Sequence, residues 1–203
     1  MTSRQVFEKF VPREAVVYCN ELYETMEFEF KVTKSRSTKL GDFRFKPGQK
    51  KSTITINNDL NPYAFLVTYL HEVAHLITFQ KFTNRVSPHG NEWKQEFVRI
   101  STPMLSEAVF PPIILSSLIR YFQNPKASSC SDPHLYSALR EFDSTTEKIS
   151  LKDIQNNQPF SFNKKQFIRL EKKRTRWVCE EIGTKRKYLI NGIAEVKLLE
   201  VNS

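Results

Sequence analysis

"YLHEVAHLITFQKFTNRVSPHGNEW" runs from Tyr69 to Trp93 and holds three of the chain's four histidines. Its centre, His71-Glu72-Val73-Ala74-His75, is an HExxH pattern. On an α-helix, residues four apart share a face, so both imidazoles can reach one ion. Glu72 lies about 100° around the helix from His71, beside such an ion without ligating it. With 4 His and 17 Glu among 203 residues, chance would give this pattern roughly 0.006 times.

The flanks predict that the motif stands on a helix. Asn61 can cap and Pro62 can open a helix that runs to about Phe82, with Asn84 as its left-handed terminator. A second helix follows "SPHG" and carries Trp93, Phe97 and Ile100 at helical spacing. Zinc suits the site, because catalytic zinc takes three protein ligands and leaves one position open. His89 is the natural third ligand: four residues before Trp93, it is carried toward the ion if its stretch is helical. Glu92 and Glu96 are rivals, Glu92 the stronger. A second zinc held by Cys130, His134 and Cys179 would have only three scattered ligands. The expectation is one zinc per chain.

Upstream, Gln5 to about Met26 reads as helical, interrupted at Pro12. The alternation of Phe28, Phe30, Val32, then Phe43, Phe45, then Ile54, Ile56 predicts three short antiparallel strands. Downstream, helices are expected over 113–122 and 133–142, and a polar loop from Asp143. From Pro159 the pattern returns to strands, with turns at Gly183 and Asn191-Gly192. The fold class is therefore α+β: a small antiparallel β-meander packed on the HExxH helix as a zincin-like core, then a C-terminal antiparallel hairpin or small sheet. The domains are placed at 1–145 and 146–203.

The formal charge is +9. Between Lys164 and Lys187 stand ten Lys/Arg against three Glu. Lys172, Lys173, Arg174, Arg176, Lys185, Arg186 and Lys187 alternate with Trp177 and Tyr188, as a phosphate-tracking, base-stacking hairpin requires. DNA or RNA is thus a candidate partner of the tail. No apolar run approaches the ~20 residues that cross a bilayer, and the start lacks an apolar signal-peptide core, so the cytoplasm is the expected compartment. Cys19, Cys130 and Cys179 read as free thiols.

"TKLGDFRF" (38–45), "ITINNDL" (54–60), "YLHEVAHLITF" (69–79) and "SPHGNEWK" (87–94) together resemble the SprT-like family of zinc metallopeptidases, in its compact bacterial form. The resemblance covers about 16–100. It implies that His71, His75 and His89 bind zinc, that Glu72 is the catalytic carboxylate, and that a protein or peptide is the substrate. The family includes DNA-dependent proteases, so nucleic-acid-associated proteins come into view as substrates. Many members end in a zinc ribbon with two Cys pairs, whereas this chain has no CxxC. The alternative is a non-catalytic zinc-containing protein that binds nucleic acid through its basic tail. Glu72 argues against it, since a structural zinc site has no use for an unligated glutamate.

Overall fold

The computed structural model describes residues 2–36, 39–48, 51–126, 132–143 and 149–199. Thr38, Cys130 and residues 144–148 of the expected polar loop lie outside them, and the rest of that loop contains a short strand and a 3-10 turn (Leu151–Asp153). The chain divides into two compact units, 1–144 and 145–203.

In the first unit the N-terminal segment breaks at Pro12 into α1 (Ser3–Phe10) and α2 (Val16–Met26). Thr2 and Gln5 close a capping box at the start of α1, satisfying two free N–H groups reciprocally. Strands β1 (Glu29–Thr33), β2 (Gly41–Arg44) and β3 (Thr53–Asn57) then form one sheet in the order β1-β3-β2. β2 pairs antiparallel with β3, but β1 pairs parallel with it, so the expected meander is replaced by a mixed sheet. The reason lies in the connection from β1 to β2, which passes over the end of β3. Buried Asn57 closes β3 and donates from Nδ2 to the carbonyls of Arg36 (3.1 Å) and Lys39 (2.9 Å). Arg36 donates back to Asn57 Oδ1 at 2.8 Å. That clasp holds the crossing loop on the strand end and leaves the central position to β3.

α3 (Pro62–Phe82) is the axis of the unit. Asn61 Oδ1 accepts from the N–H groups of Tyr63 and Ala64, while its Nδ2 donates to the Leu139 carbonyl and the Asp143 carboxylate. Nearly every position from Ala64 to Thr78 is buried, the pattern of a core helix rather than a surface one. Tyr69 donates to the Cys19 carbonyl at 2.9 Å, and its ring packs on Phe7, Phe28 and Phe30. The left-handed residue that ends α3 is Thr83 (φ 54°), one position before the expected Asn84.

α4 (Asn91–Ser101) lays Trp93 and Phe97 against α3. Glu96 links the two helices through Lys81 and is also paired along α4 with Arg99. α5 (Pro112–Tyr121) and α6 (Pro133–Arg140) complete the unit. Among the described residues no helix is long and apolar enough to cross a membrane.

The second unit holds β4 (Ile149–Ser150), β5 (Pro159–Phe162), β6 (Lys165–Lys173), β7 (Arg176–Glu181), β8 (Lys187–Asn191) and β9 (Glu195–Leu198). Their order is β4-β9-β5-β6-β7-β8. Asn191-Gly192 therefore does not close a two-residue hairpin, because β9 pairs with β5 and β4 rather than with β8. Four strand spacings span about 19 Å in a flat sheet. The link from Asn191 to Glu195 reaches at most about 14 Å. The sheet must curl, and it encloses a core of Leu151, Ile154, Phe160, Phe167, Cys179, Ile190 and Val196.

Candidate metal centre

α3 delivers His71 and His75 on successive turns of one face. His89 arrives from the turn before α4, not from the helix itself, whose cap is Gly90 in extended backbone. The Gly90 N–H closes that turn on the Ser87 carbonyl at 2.9 Å. The three Nε2 atoms stand 3.2 Å (His71–His75), 3.0 Å (His75–His89) and 3.4 Å (His71–His89) apart. A tetrahedral zinc with Zn–N near 2.0–2.1 Å requires ligand nitrogens about 3.3 Å apart. The donor set therefore fits such an ion. These are the three described residues whose ligand atoms gather closely enough to hold a metal.

The charge state fits as well. Burial and the neighbouring imidazoles push His71 well below its usual range, burial chiefly takes His75 to about 3, and burial lowers His89. All three are thus neutral with lone pairs available, the form a metal binds. Trp93 packs against all three rings, with centroids 4.7, 5.2 and 4.8 Å from His71, His75 and His89. It is fully buried and forms the floor that fixes their orientation.

Glu72 is buried on the flank of α3 that faces β2. Burial first, and the Asp42 carboxylate second, push its carboxyl up to about 8, while the Phe43 N–H donates to it and opposes the rise. Gly41 lies so close that a Cβ there would sit 2.6 Å from Glu72 Oε1 and 2.7 Å from the Thr68 methyl. The LGD segment therefore needs glycine for close approach. The sequence showed the Gly but not what it meets. Phe43 also stacks toward His75, centroids 6.5 Å apart. β2 thus reaches both the Glu72 carboxyl and the ring of His75.

Neither rival ligand joins the cluster. Glu96 is held by Lys81 and Arg99, and Glu92 turns toward Gly90, 3.1 Å from where a Cβ would stand. His134 is exposed on α6, and buried Cys179, whose thiol burial raises to about 11, lies in the curled sheet of the second unit. Cys130 falls outside the described residues.

The basic run divides. Lys172, Lys173, Arg174 and Arg176 surround the β6–β7 turn, whereas Lys185, Arg186 and Lys187 surround the β7–β8 turn, at the opposite end of β7. All seven are exposed, and Lys185 pairs with Glu180 at 3.5 Å. Trp177 and Tyr188, the aromatics expected to interleave with them, are half-buried and exposed respectively, and each has contacts within the sheet. Trp177 packs on the core with the Arg169 guanidinium 3.8 Å over its ring. The Tyr188 hydroxyl donates to Glu181 at 3.0 Å, and its ring meets Phe167 edge-on.

Comparison with known proteins places the chain in a family. The Protein SprT of Vibrio parahaemolyticus serotype O3:K6 (strain RIMD 2210633) is 60% identical over 35 residues, 17% of this chain and 21% of that protein. The chain matches about a fifth of the length of that curated relative. No solved structure gives a significant match. The model of the SprT-like family matches residues 4–111, more than half of the chain and the whole of the three-histidine centre, and the chain belongs to the SprT-like family.

Proposed function

We propose that the chain is a zinc-dependent metallopeptidase. The observation that carries this is the pairing of three converging neutral imidazoles with a buried, unligated carboxyl on the adjoining flank of the same helix. His71, His75 and His89 would hold zinc, which when bound supplies Lewis acidity to a carbonyl and lowers the pKa of a water. Glu72 accepts a proton from the attacking water on a carboxylate oxygen and returns it to the leaving amine nitrogen. The net change is an amide plus water giving a carboxylic acid and an amine. Burial keeps Glu72 a stronger base than a solvated carboxylate, and the Phe43 N–H orients it. Trp93 and Phe97 close the site from below, which keeps the ligand rings in place.

A purely structural ion would need no such carboxyl, and burying one is costly. The positive second unit suits protein substrates associated with DNA or RNA, held through phosphate contacts with little sequence preference.

The test is Glu72→Gln, measured for zinc content and for cleavage of an unfolded protein. Zinc should stay at one per chain while cleavage falls about 10²- to 10⁴-fold, the usual share of general acid–base catalysis. Undiminished cleavage removes Glu72 from the chemistry. Zinc bound equally well, with no cleavage by the wild type, returns the centre to a structural role.

A further inference from the structure

The face of α3 that carries the histidines does not end with them. Phe79 follows His75 by four residues and Phe82 follows Phe79 by three, so both continue the same row. β2 and the residue after it lay Phe43 and Phe45, alternate positions on one side of the strand, against that row. The Phe43 ring is 6.5 Å from His75 and 5.8 Å from Phe79, and the Phe45 ring is 4.6 Å from Phe79. Burial falls along the row. Phe43 and Phe79 are half-buried, whereas Phe45 is 45% and Phe82 37% exposed. An aromatic ledge therefore leads from the ligand rings out to solvent.

Among the described residues β2 pairs with β3 alone, and the Asn57 N–H donates to the Leu40 carbonyl, which sets the phase of the ladder. Peptide groups of antiparallel strands alternate between partner and open side, so those of Asp42 and Arg44 turn to β3 and those of Gly41 and Phe43 turn outward. Glu72 already occupies the outward N–H of Phe43. A chain laid in extended form along this edge has one side on the carboxyl and the histidines and a side chain over the rings. The rings offer no hydrogen-bonding atom, so they favour apolar bulk, and a charged side chain there would lose hydration without a partner.

We propose that Phe43, Phe79 and Phe45 form a subsite for a bulky apolar side chain (Phe, Tyr, Leu or Met) of an extended polypeptide, next to the bond that is cut. The proposal rests on the metallopeptidase reading and adds the substrate class. Phe45 is the residue that sets the preference, because it is exposed and its removal leaves the ligand rings untouched.

The experiment uses the zinc-supplemented full chain and a pair of dye-labelled decapeptides that differ by Phe or Ala at one central position. Cleavage is followed with the wild type and with Phe45→Ala and Phe45→Lys. Binding to Glu72→Gln is followed by fluorescence anisotropy. The Phe peptide should be cut about 10-fold more efficiently than the Ala peptide, at the low end of what an apolar contact discriminates. Phe45→Ala should lower that ratio about threefold or more and Phe45→Lys should abolish it, both with zinc retained. Equal cleavage of the two peptides, or a ratio unchanged in both variants, overturns the subsite and leaves the peptidase standing. Selective binding of the Phe peptide to Glu72→Gln with no cleavage by wild type keeps the subsite and overturns the peptidase. Neither binding preference nor cleavage overturns both.

Discussion

Both units bury titratable groups, and they treat them in opposite ways. In the second, Arg169 donates from Nη1 to the carbonyls of Leu151 and Lys152, at 3.0 Å each, and lies over the Trp177 ring. Glu181 accepts from Thr184 and Tyr188 and pairs with Lys165, and these contacts hold its carboxyl below the usual range. Apart from the buried Arg169 Nε, these charged groups find partners within the chain. In the first unit three imidazoles point their nitrogens at one another, and the carboxyl beside them is forced toward its neutral form. A buried polar cluster that its own fold does not satisfy is costly to keep. The first cluster has the form of a place that could hold an ion, and the second has the form of contacts that hold a sheet together.

Removing one imidazole should have the largest effect. His75→Ala deletes the nitrogen nearest both others, and the protein should retain no zinc after dialysis where wild type retains one per chain, as read by elemental analysis. Full retention would break the contrast at its root.

Next comes the stability of the metal-free protein. The Glu72 carboxyl is raised from 4.5 to about 8 in the folded chain, so the unfolded chain gives up its proton first as pH climbs. The stability of the protonated carboxyl is present below about 4.5 and drains away toward 8. Glu72→Gln carries no charge, and in chelator it should unfold about 3 kcal/mol less readily than wild type at pH 8, with little difference at about pH 4. Urea melts at the two pH values check this. An advantage that grows as pH falls would reverse the assignment.

Arg169→Ala should cost the second unit about 2 kcal/mol, because two carbonyls and a ring face lose their partner. Zinc content should not change, since every ligand lies between 71 and 89. The smallest effect is expected from replacing Lys172, Lys173 and Arg174 together by Ala. Exposed and with no buried partner to strand, they should alter stability by less than about 0.5 kcal/mol. If the unit binds single-stranded DNA, the slope of log affinity against log salt should flatten by at most about 2 to 3 units. An unchanged slope places the contact elsewhere.

What was legible in the sequence was local. Asn61 and Pro62 announce the start of α3, the i, i+4 spacing sets His71 over His75, and Trp93 and Phe97 give the packed face of α4. What was not legible depends on partners distant in sequence. Alternation in β1, β2 and β3 marks them as strands but cannot say that Asn57 holds the crossover and makes β1 run parallel to β3. Asn191-Gly192 has the residues of a tight hairpin, yet its following strand is claimed by β5 and β4. Trp177 reads as an aromatic among cations, and nothing in its spacing announces that Arg169, eight residues earlier, lies over its ring. Of the candidate site, the three histidines that gather and the carboxyl buried on the same helix could be named from the sequence. The role of Gly41 and the aromatic row from Phe43 to Phe82 could not, because both arise where a strand crosses a helix.

The chain has two tryptophans, and the fold has given one to each unit. Trp93 touches all three histidine rings and is sealed from water, while Trp177 sits under a guanidinium in the curled sheet. Intrinsic emission is thus two optical channels. With Trp177→Phe, the remaining signal comes from an indole in van der Waals contact with the ligand set, so adding zinc to chelator-treated protein should change its intensity. With Trp93→Phe, the same titration should be silent, and the emission should follow only the unfolding of residues 149–199. The loading of the centre and the integrity of the basic unit can be watched separately, without a label, on the same instrument.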